Sequence, residues 1–273
     1  MSEHIAFRTA VAADAPQIVA LIRDAFPAPL VTAMTYGCPG VADFVAEQIA
    51  VQDLGGETFY VVAADEQGLV GCAEGRRLPR RLFLSYIAVS STIRGQGIGR
   101  RLLLALIEAA GIEADELALD VFDFNTAARR WYDRLGFESR ESGSWCEASL
   151  DGGRPRPVRL IGYAQAEACH RLYGFSQFTL CTPEGQYDIG RLEARWYRLS
   201  DPAAIEAPGV LATLKRLAPE RRLLLIGNAS KAASSLSDAR EFARSHRMAA
   251  PLNNLRKRLT ERRPERAGTC QDH

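Results

Sequence analysis

Two hydrophobic periods alternate along the chain, and the places where one gives way to the other mark its elements. Ile5, Phe7 and Thr9 are spaced as on a strand and lead into Asp14-Ala15-Pro16, an N-capping acid and an early proline that open a helix. Ile18, Leu21, Ile22 and Phe26 then recur at helical spacing. Residues 27–40 are irregular and rich in proline and glycine, and Val41, Phe44, Val45, Gln48 and Ile49 predict a second helix. Residues 58–64 and 69–74 flank a turn at 65–68 and predict a hairpin, with a third strand at 81–89. A glycine-rich turn follows, then an apolar helix over 100–110, a strand over 117–122 and a helix over 126–135. Gly136 ends that last helix as a C-terminal cap, and Phe137 starts the next extended piece.

Between 139 and 157 the composition shifts to Ser, Gly, Arg and Pro, and Asp151-Gly-Gly-Arg-Pro-Arg-Pro157 reads as a turn or linker. Beyond it the pattern predicts a strand at 158–161, a helix at 164–173 and a long hairpin of 175–182 with 186–199. A helix at 209–217, a strand at 223–226 and a helix at 236–248 complete the series. The division is therefore a first domain over 1–145, a linker over 146–157, a smaller domain over 158–255 and a tail over 256–273. Dense in arginine and glutamate, that tail is expected to be a frayed helix end or disordered. The order of elements in the second half repeats that of the first, and Ala128-Arg-Arg-Trp131 is echoed by Ala239-Arg-Glu-Phe242 in the predicted 236–248 helix. The expected fold is α/β, an α+β mixed sheet whose second half is a worn copy of the first.

Composition adds few constraints. With 273 residues, 47% hydrophobic and 25% charged, the chain has material for one or two real cores. A net charge of +1 gives no overall field for nucleic acid or membrane. Six irregularly spaced cysteines, without a C-x-x-C pair or histidines at ligand spacing, read as reduced thiols and predict no metal. The first residues lack a basic segment followed by an apolar one, and no run reaches the ~20 apolar residues of a membrane span, so a cytoplasmic location is expected.

The chemistry concentrates where a strand runs into Arg94-Gly95-Gln96-Gly97-Ile98-Gly99 and an apolar helix. The first turn of a helix has backbone N–H groups without partners and a partial positive charge, so a turn that glycine keeps bare can cradle a diphosphate, with Arg94 adding formal charge. The G-x-G-x-G spacing differs from the dinucleotide fingerprint, and Asp120 falls mid-strand, not at a strand end about twenty residues on. Arg94-x-x-Gly97-x-Gly99 resembles the pyrophosphate signature of the GNAT N-acetyltransferase superfamily. Leu84-Ser-Tyr-Ile-Ala-Val89 resembles that family's central strand, and Asn125-x-x-Ala128-x-x-x-Tyr132-x-x-x-Gly136-Phe137 its second motif. The resemblance covers roughly residues 4–145.

What it implies is acetyl-CoA as cofactor, held by Ile87, Ala88, Val89, Arg94, Gly95, Gln96, Gly97, Ile98, Gly99, Arg100, Asn125 and Tyr132. Tyr132 is the expected acid for the departing thiolate, and the Val89 N–H, or one beside it, the donor to the acyl carbonyl. The central strand lacks the family's glutamate, so the base is sought among Glu74, Asp120 and Asp123, each with an alternative as a solvated or strand-end carboxylate. The implied reaction is direct acetyl transfer to a primary amine of a small molecule or peptide. Transfer of a longer acyl group, and a non-catalytic acyl-CoA-binding role, stay open beside it. Tyr36-Gly-Cys-Pro-Gly40 is a substrate loop or a helix connector. His170 reads as a surface or packed residue, and prolines in 200–209 remove donors a second diphosphate would use. The second half is thus expected to complete the acceptor pocket or a homodimer interface. Nucleic acid is not an expected partner, since no aromatic residues interleave the basic tail.

Overall fold

A computed structural model describes residues 5–151 and 153–261. Its strands are β1 (Ala6–Thr9), β2 (Thr58–Asp65), β3 (Gly68–Leu78), β4 (Arg81–Val89), β5 (Glu116–Phe122), β6 (Glu138–Ala148), β7 (Arg159–Ile161), β8 (Phe175–Cys181), β9 (Gln186–Leu192), β10 (Trp196–Leu199), β11 (Arg222–Gly227) and β12 (Arg240–Pro251). The helices are α1 (Ala15–Ala25), α2 (Ala28–Val31), α3 (Val41–Val51), α4 (Ile98–Ala109), α5 (Thr126–Leu135), α6 (Tyr163–Tyr173), α7 (Ala203–Glu206), α8 (Val210–Leu217) and α9 (Leu252–Thr260). The expected mixed α/β architecture is what the chain adopts.

All twelve strands join one sheet in the order β1-β2-β3-β4-β5-β12-β6-β11-β10-β9-β8-β7. Adding six to each strand of the first half reproduces the second half in reverse, so the sheet has a pseudo-twofold axis between β12 and β6. The parallel pairs obey it: β4 with β5, and β10 with β11, while every other neighbouring pair is antiparallel. At the centre the halves exchange strands. β12 pairs with β5 of the first half, and β6 pairs with β11 of the second.

This exchange overturns one sequence reading. The helix predicted at 236–248 is instead β12, ordered by ladders to β5 on one side and β6 on the other. Local spacing in an arginine-rich stretch cannot register partners more than a hundred residues away. The echo of Ala128–Trp131 in 239–242 falls with it: the former lies in α5, the latter enters a strand, and the pseudo-symmetric counterpart of α5 is the 3-10 turn Asn228–Ser235. Residues 139–148, read by composition as the approach to a linker, form most of β6. Arg256 to Thr260 close α9, whose Leu252, Leu255 and Leu259 are buried in the core of the first half; the rest of the expected tail, with Cys270, lies outside the described residues, apart from Glu261.

Two clusters cover the faces of the first half, and a third joins it to the second. Leu102, Leu103, Leu106 and Ile107 of α4 pack with Leu82, Leu84, Leu117 and Leu119 on one face of the first half, each such burial contributing about 1.5–3 kcal/mol. On the other face Ile18, Val19 and Ile22 of α1 and Val41, Val45 and Ile49 of α3 cover Tyr60 and Val62. Ala33 and Cys38 reach across to Leu192, Trp196, Leu224 and Ile226 of the second half, and the Trp196 indole donates to the Thr32 carbonyl at 3.2 Å. Among the described residues no helix is long and apolar enough to cross a membrane.

Candidate active site

The site begins where β4 and β5 part. They pair only from Arg81 opposite Glu116 to Leu84 opposite Leu119. Residues 85–89 continue with β3 alone, and at that point the β3–β4 register slips, with Glu74 opposite Tyr86 and Gly75 opposite Leu84. Ser85 is the extra residue of a bulge, a device that increases local twist and bends its strand. The Ser90 N–H donates to the Val70 carbonyl at 2.9 Å. Backbone groups alternate sides along a strand, so the polar groups of Ile87 and Val89 face the gap that β5 has left. The Val89 carbonyl accepts from Arg94 Nε at 3.1 Å.

The turn after β4 stays bare. Gly95 and Gly97 have φ of +87° and +81°, and a Cβ on either would meet nothing within 4 Å. Glycine permits this left-handed path without strain and leaves the first turn of α4 open to an anion. A cavity of about 1070 Å³ runs from this turn along the gap between β4 and β5. Of the residues expected to hold cofactor, Ile87, Ala88, Val89, Arg94, Gly95, Gly97, Ile98, Gly99, Arg100, Asn125 and Tyr132 line it, and Gln96 does not. Two of these also have structural duties. Asn125 caps α5, its Oδ1 accepting from the Ala128 N–H at 3.1 Å, and Arg100 donates to the Leu259 carbonyl at 3.0 Å and to those of Arg258 and Glu261 at the end of α9. Arg258 was missed by the sequence reading. It lies across Gly136, whose added Cβ would stand 2.4 Å from its guanidinium, and it lines the same cavity. Its only signal was the arginine density of a segment expected to be a frayed end.

Tyr132 is buried between Trp131 and Phe137, with ring centroids 4.9 and 5.3 Å away. Burial alone raises its pKa, so the phenol keeps its proton, and among the described residues its hydroxyl has no hydrogen-bond partner.

A second cavity, of about 1130 Å³, lies between the halves and adjoins the first at Phe26, Ser85, Tyr86, Asp120 and Phe122. Glu74 lines it from β3 and is buried. The Tyr36 hydroxyl donates to Glu74 Oε2 at 2.5 Å. Burial raises the Glu74 pKa, against hydrogen bonds from Tyr36, Ser85 and Tyr60 and the charge of Arg76, which lower it. The Tyr36 segment is pinned from both sides: Arg23 donates to the Tyr36 and Cys38 carbonyls at 2.7 and 3.0 Å, and a Cβ on Gly40 would stand 2.3 Å from the Leu172 carbonyl of α6. The other two acids are engaged. Asp120 forms a fork with Arg247 of β12 at 2.5 and 2.9 Å, and Asp123 pairs with Arg129 at 3.1 Å and with His246. His170 sits on α6 with Nε2 3.1 Å from Arg221 and does not line either cavity. Among the described residues no group of three or more His, Cys, Asp or Glu could hold a metal ion.

A bare helix start beside the free edge of a splayed strand is an arrangement that known proteins share. Residues 21–137 match the acetyltransferase (GNAT) family. Over those residues the chain is similar to GNAT acetyltransferase domains. Solved structures extend the likeness across both halves. A Pyrococcus horikoshii protein superposes with a TM-score of 0.62 at 15% identity, over 90% of this chain and 89% of that one. A tandem GNAT protein from the clavulanic acid biosynthesis pathway gives 0.59 at 15% identity, over 91% and 98%. A GCN5-related N-acetyltransferase from Sphaerobacter thermophilus gives 0.53 at 14% identity, over 91% and 96%. At such identities the likeness is one of fold: two GNAT-like modules in one chain. The family match supports acyl transfer, with acetyl-CoA or coenzyme A as the cofactor. The open glycines, the first turn of α4, Arg94 and the free edge of β4 are donors of the kind a diphosphate and an amide-bearing arm require.

Proposed function

We propose that this protein transfers an acetyl group from acetyl-CoA to a primary amine of a small molecule or peptide, directly and within a ternary complex. The observation that carries this reading is the junction of the two cavities at the splay of β4 and β5, with Tyr132 lining one and Glu74 the other.

In this reading residues 94–99 and the start of α4 hold the diphosphate, and the edge of β4 at Ile87 and Val89 holds the pantetheine arm. Bound there, the cofactor supplies a thioester carbonyl already activated for attack. The Val89 N–H donates to the carbonyl oxygen. Glu74 takes the proton of the attacking amine, and burial, by raising its pKa, makes it a stronger base than an exposed carboxylate. The N–C bond forms as the C–S bond breaks, and the Tyr132 phenol gives its proton to the sulfur. The acid absent from β4 is thereby provided by β3, from the position opposite Tyr86. Glu74 is favoured over Asp120 and Asp123 because those two are neutralised by Arg247 and by Arg129 with His246. That built base also favours transfer over a role confined to binding.

The test is titration calorimetry with acetyl-CoA, followed by thiol release across a panel of amines. Binding at micromolar cofactor and turnover of at least one primary amine are expected. No binding at millimolar cofactor would overturn the reading.

A further inference from the structure

The cavity between the halves is lined by the carboxylates of Glu57, Glu74, Asp120 and Glu141 and by arginines, one of which stands without a partner among the described residues. Four arginines line it: Arg76, Arg191, Arg198 and Arg247. Arg247 is held by Asp120, Arg191 by Glu167, and Arg76 stands 3.9 Å from Glu57 with its guanidinium over the Phe83 ring. Arg198 of β10 has no hydrogen-bond or ion-pair partner among the described residues. Its stem rests on Gly190, its register partner on β9, where a Cβ would come within 3.2 Å of the Arg198 Cβ. The residue is exposed, and the surface it presents lines the cavity. Desolvation by the surrounding protein and the neighbouring Arg76 charge disfavour its charged form, while Tyr86 favours it; a guanidinium nevertheless stays ionised. A guanidinium that the fold leaves unpaired in a cleft keeps its donors free for a ligand that brings the counter-charge.

Tyr86 relates this charge to the proposed chemistry. Burial raises the pKa of its phenol, the Glu74 charge raises it further and the Arg198 charge lowers it. Glu74 and Arg198 thus line one cavity, both within electrostatic reach of one ring. We propose that Arg198 receives a carboxylate of the acceptor, whose amine faces Glu74, so that the substrate class is amines carrying a free carboxylate. This rests on the acetyl-transfer reading of the cavity. A guanidinium fork matches a single planar carboxylate, and one unpaired arginine matches one negative charge. The arginine comes from the second half, which gives that half a substrate-selecting role in a reaction whose cofactor the first half holds.

The experiment uses matched acceptor pairs differing only in the carboxylate: amino acids against their amides, and short peptides with free against amidated C-termini. Binding to the full chain saturated with coenzyme A is measured by calorimetry, and transfer separately by thiol release with acetyl-CoA. At least one acid is expected to bind ten-fold or more tighter than its amide, with the preference lost in Arg198→Gln and partly kept in Arg198→Lys. Which of the two series shows it distinguishes a free amino acid from a peptide terminus. No acid-over-amide preference in any pair, or a preference that survives Arg198→Gln in a protein with unchanged melting temperature, overturns the proposal. Turnover of amides as fast as acids leaves acetyl transfer standing and refutes the role of Arg198. Carboxylate-selective binding without turnover of any amine does the reverse.

Discussion

The start of α4 and the start of α8 occupy equivalent places in a pseudo-symmetric sheet, and they differ in what covers them. Gly97 opens α4 with no atom within 4 Å of where its side chain would be. Gly209 opens α8 with φ of +89°, but a Cβ there would stand 2.8 Å from the Arg156 Cβ and 3.2 Å from Val158. The segment that joins the halves has been laid across the second helix start. The strands differ in the same sense. β4 runs five residues past its pairing with β5, whereas β10 ends at Leu199, the last residue that pairs with β11. One half therefore offers a bare helix start beside a free strand edge, and the other offers neither. The two halves share one frame, and among the described residues the uncovered backbone groups at these helix starts are confined to the first half.

The largest test of this comparison is to remove the exchanged strand. Ending the chain after Ala239 deletes β12 and α9, and with them Met248, Leu252, Leu255 and Leu259 from the core of the first half and the partner of β5. The expected outcome is loss of cooperative melting and of soluble protein, since several buried side chains at about 2–5 kcal/mol each exceed the usual margin of stability. Soluble, cofactor-binding protein from this truncation would show that the halves are independent.

Next in size is a matched pair of substitutions at the two helix starts. Gly97→Asp puts a carboxylate where a diphosphate is proposed to lie, at a φ that aspartate tolerates better than most residues. Acetyl-CoA affinity is expected to fall by about 100-fold or more, with little change in melting temperature. Gly209→Asp should do the opposite, lowering the melting temperature by collision with Arg156 and leaving cofactor affinity unchanged. A loss of affinity from the second substitution would place cofactor chemistry in both halves.

Glu74→Gln is expected to lower kcat by about 10²–10³-fold at neutral pH and to abolish the acid limb of the pH profile. The effect on stability has a definite sign. Because burial raises the Glu74 pKa in the folded state, the wild type loses stability as pH rises from the unfolded carboxylate value, about 4.3, through the higher folded value. Glu74→Gln lacks that loss. Its melting temperature should match wild type near pH 4 and exceed it at pH 8, a crossover that a purely structural Glu74 without catalytic duty would show with kcat unchanged.

The smallest expected effect is that of Tyr132→Phe, which removes one oxygen from a buried ring that packs through its carbons. Turnover should fall about 10- to 100-fold while KM for acetyl-CoA stays within about two-fold, the pattern of an interaction made only during the reaction. Equal turnover would remove Tyr132 as the proton donor.

Much of the first half was legible because its informative contacts are local. The 65–68 turn, the strand running into Arg94–Gly99 and the Gly136 cap each declare themselves within a few residues, through glycine's access to positive φ and through helical or strand spacing. The second half was legible in outline up to β11, except that 186–199, read as one strand, is β9 and β10 joined by a turn. Beyond that point the local pattern misled, since the arginine-rich run before Pro251 becomes a strand only when β5 and β6 supply its ladders. Among candidate acids the sequence offered three without a ranking; the ion pairs of Asp120 and Asp123 and the burial of Glu74 supply one.

By itself the sequence determined the bare glycine turn that is proposed to hold the diphosphate, because its character consists of backbone groups that glycine leaves open and needs no distant partner. It also determined that two similar series of elements follow one another. Only the tertiary structure decided that the two series exchange strands, that the linker covers the second helix start, and that Glu74 and Arg198, 124 positions apart in numbering, line one cavity. Those outcomes depend on pairings across the whole sheet, whose free energy no local window contains.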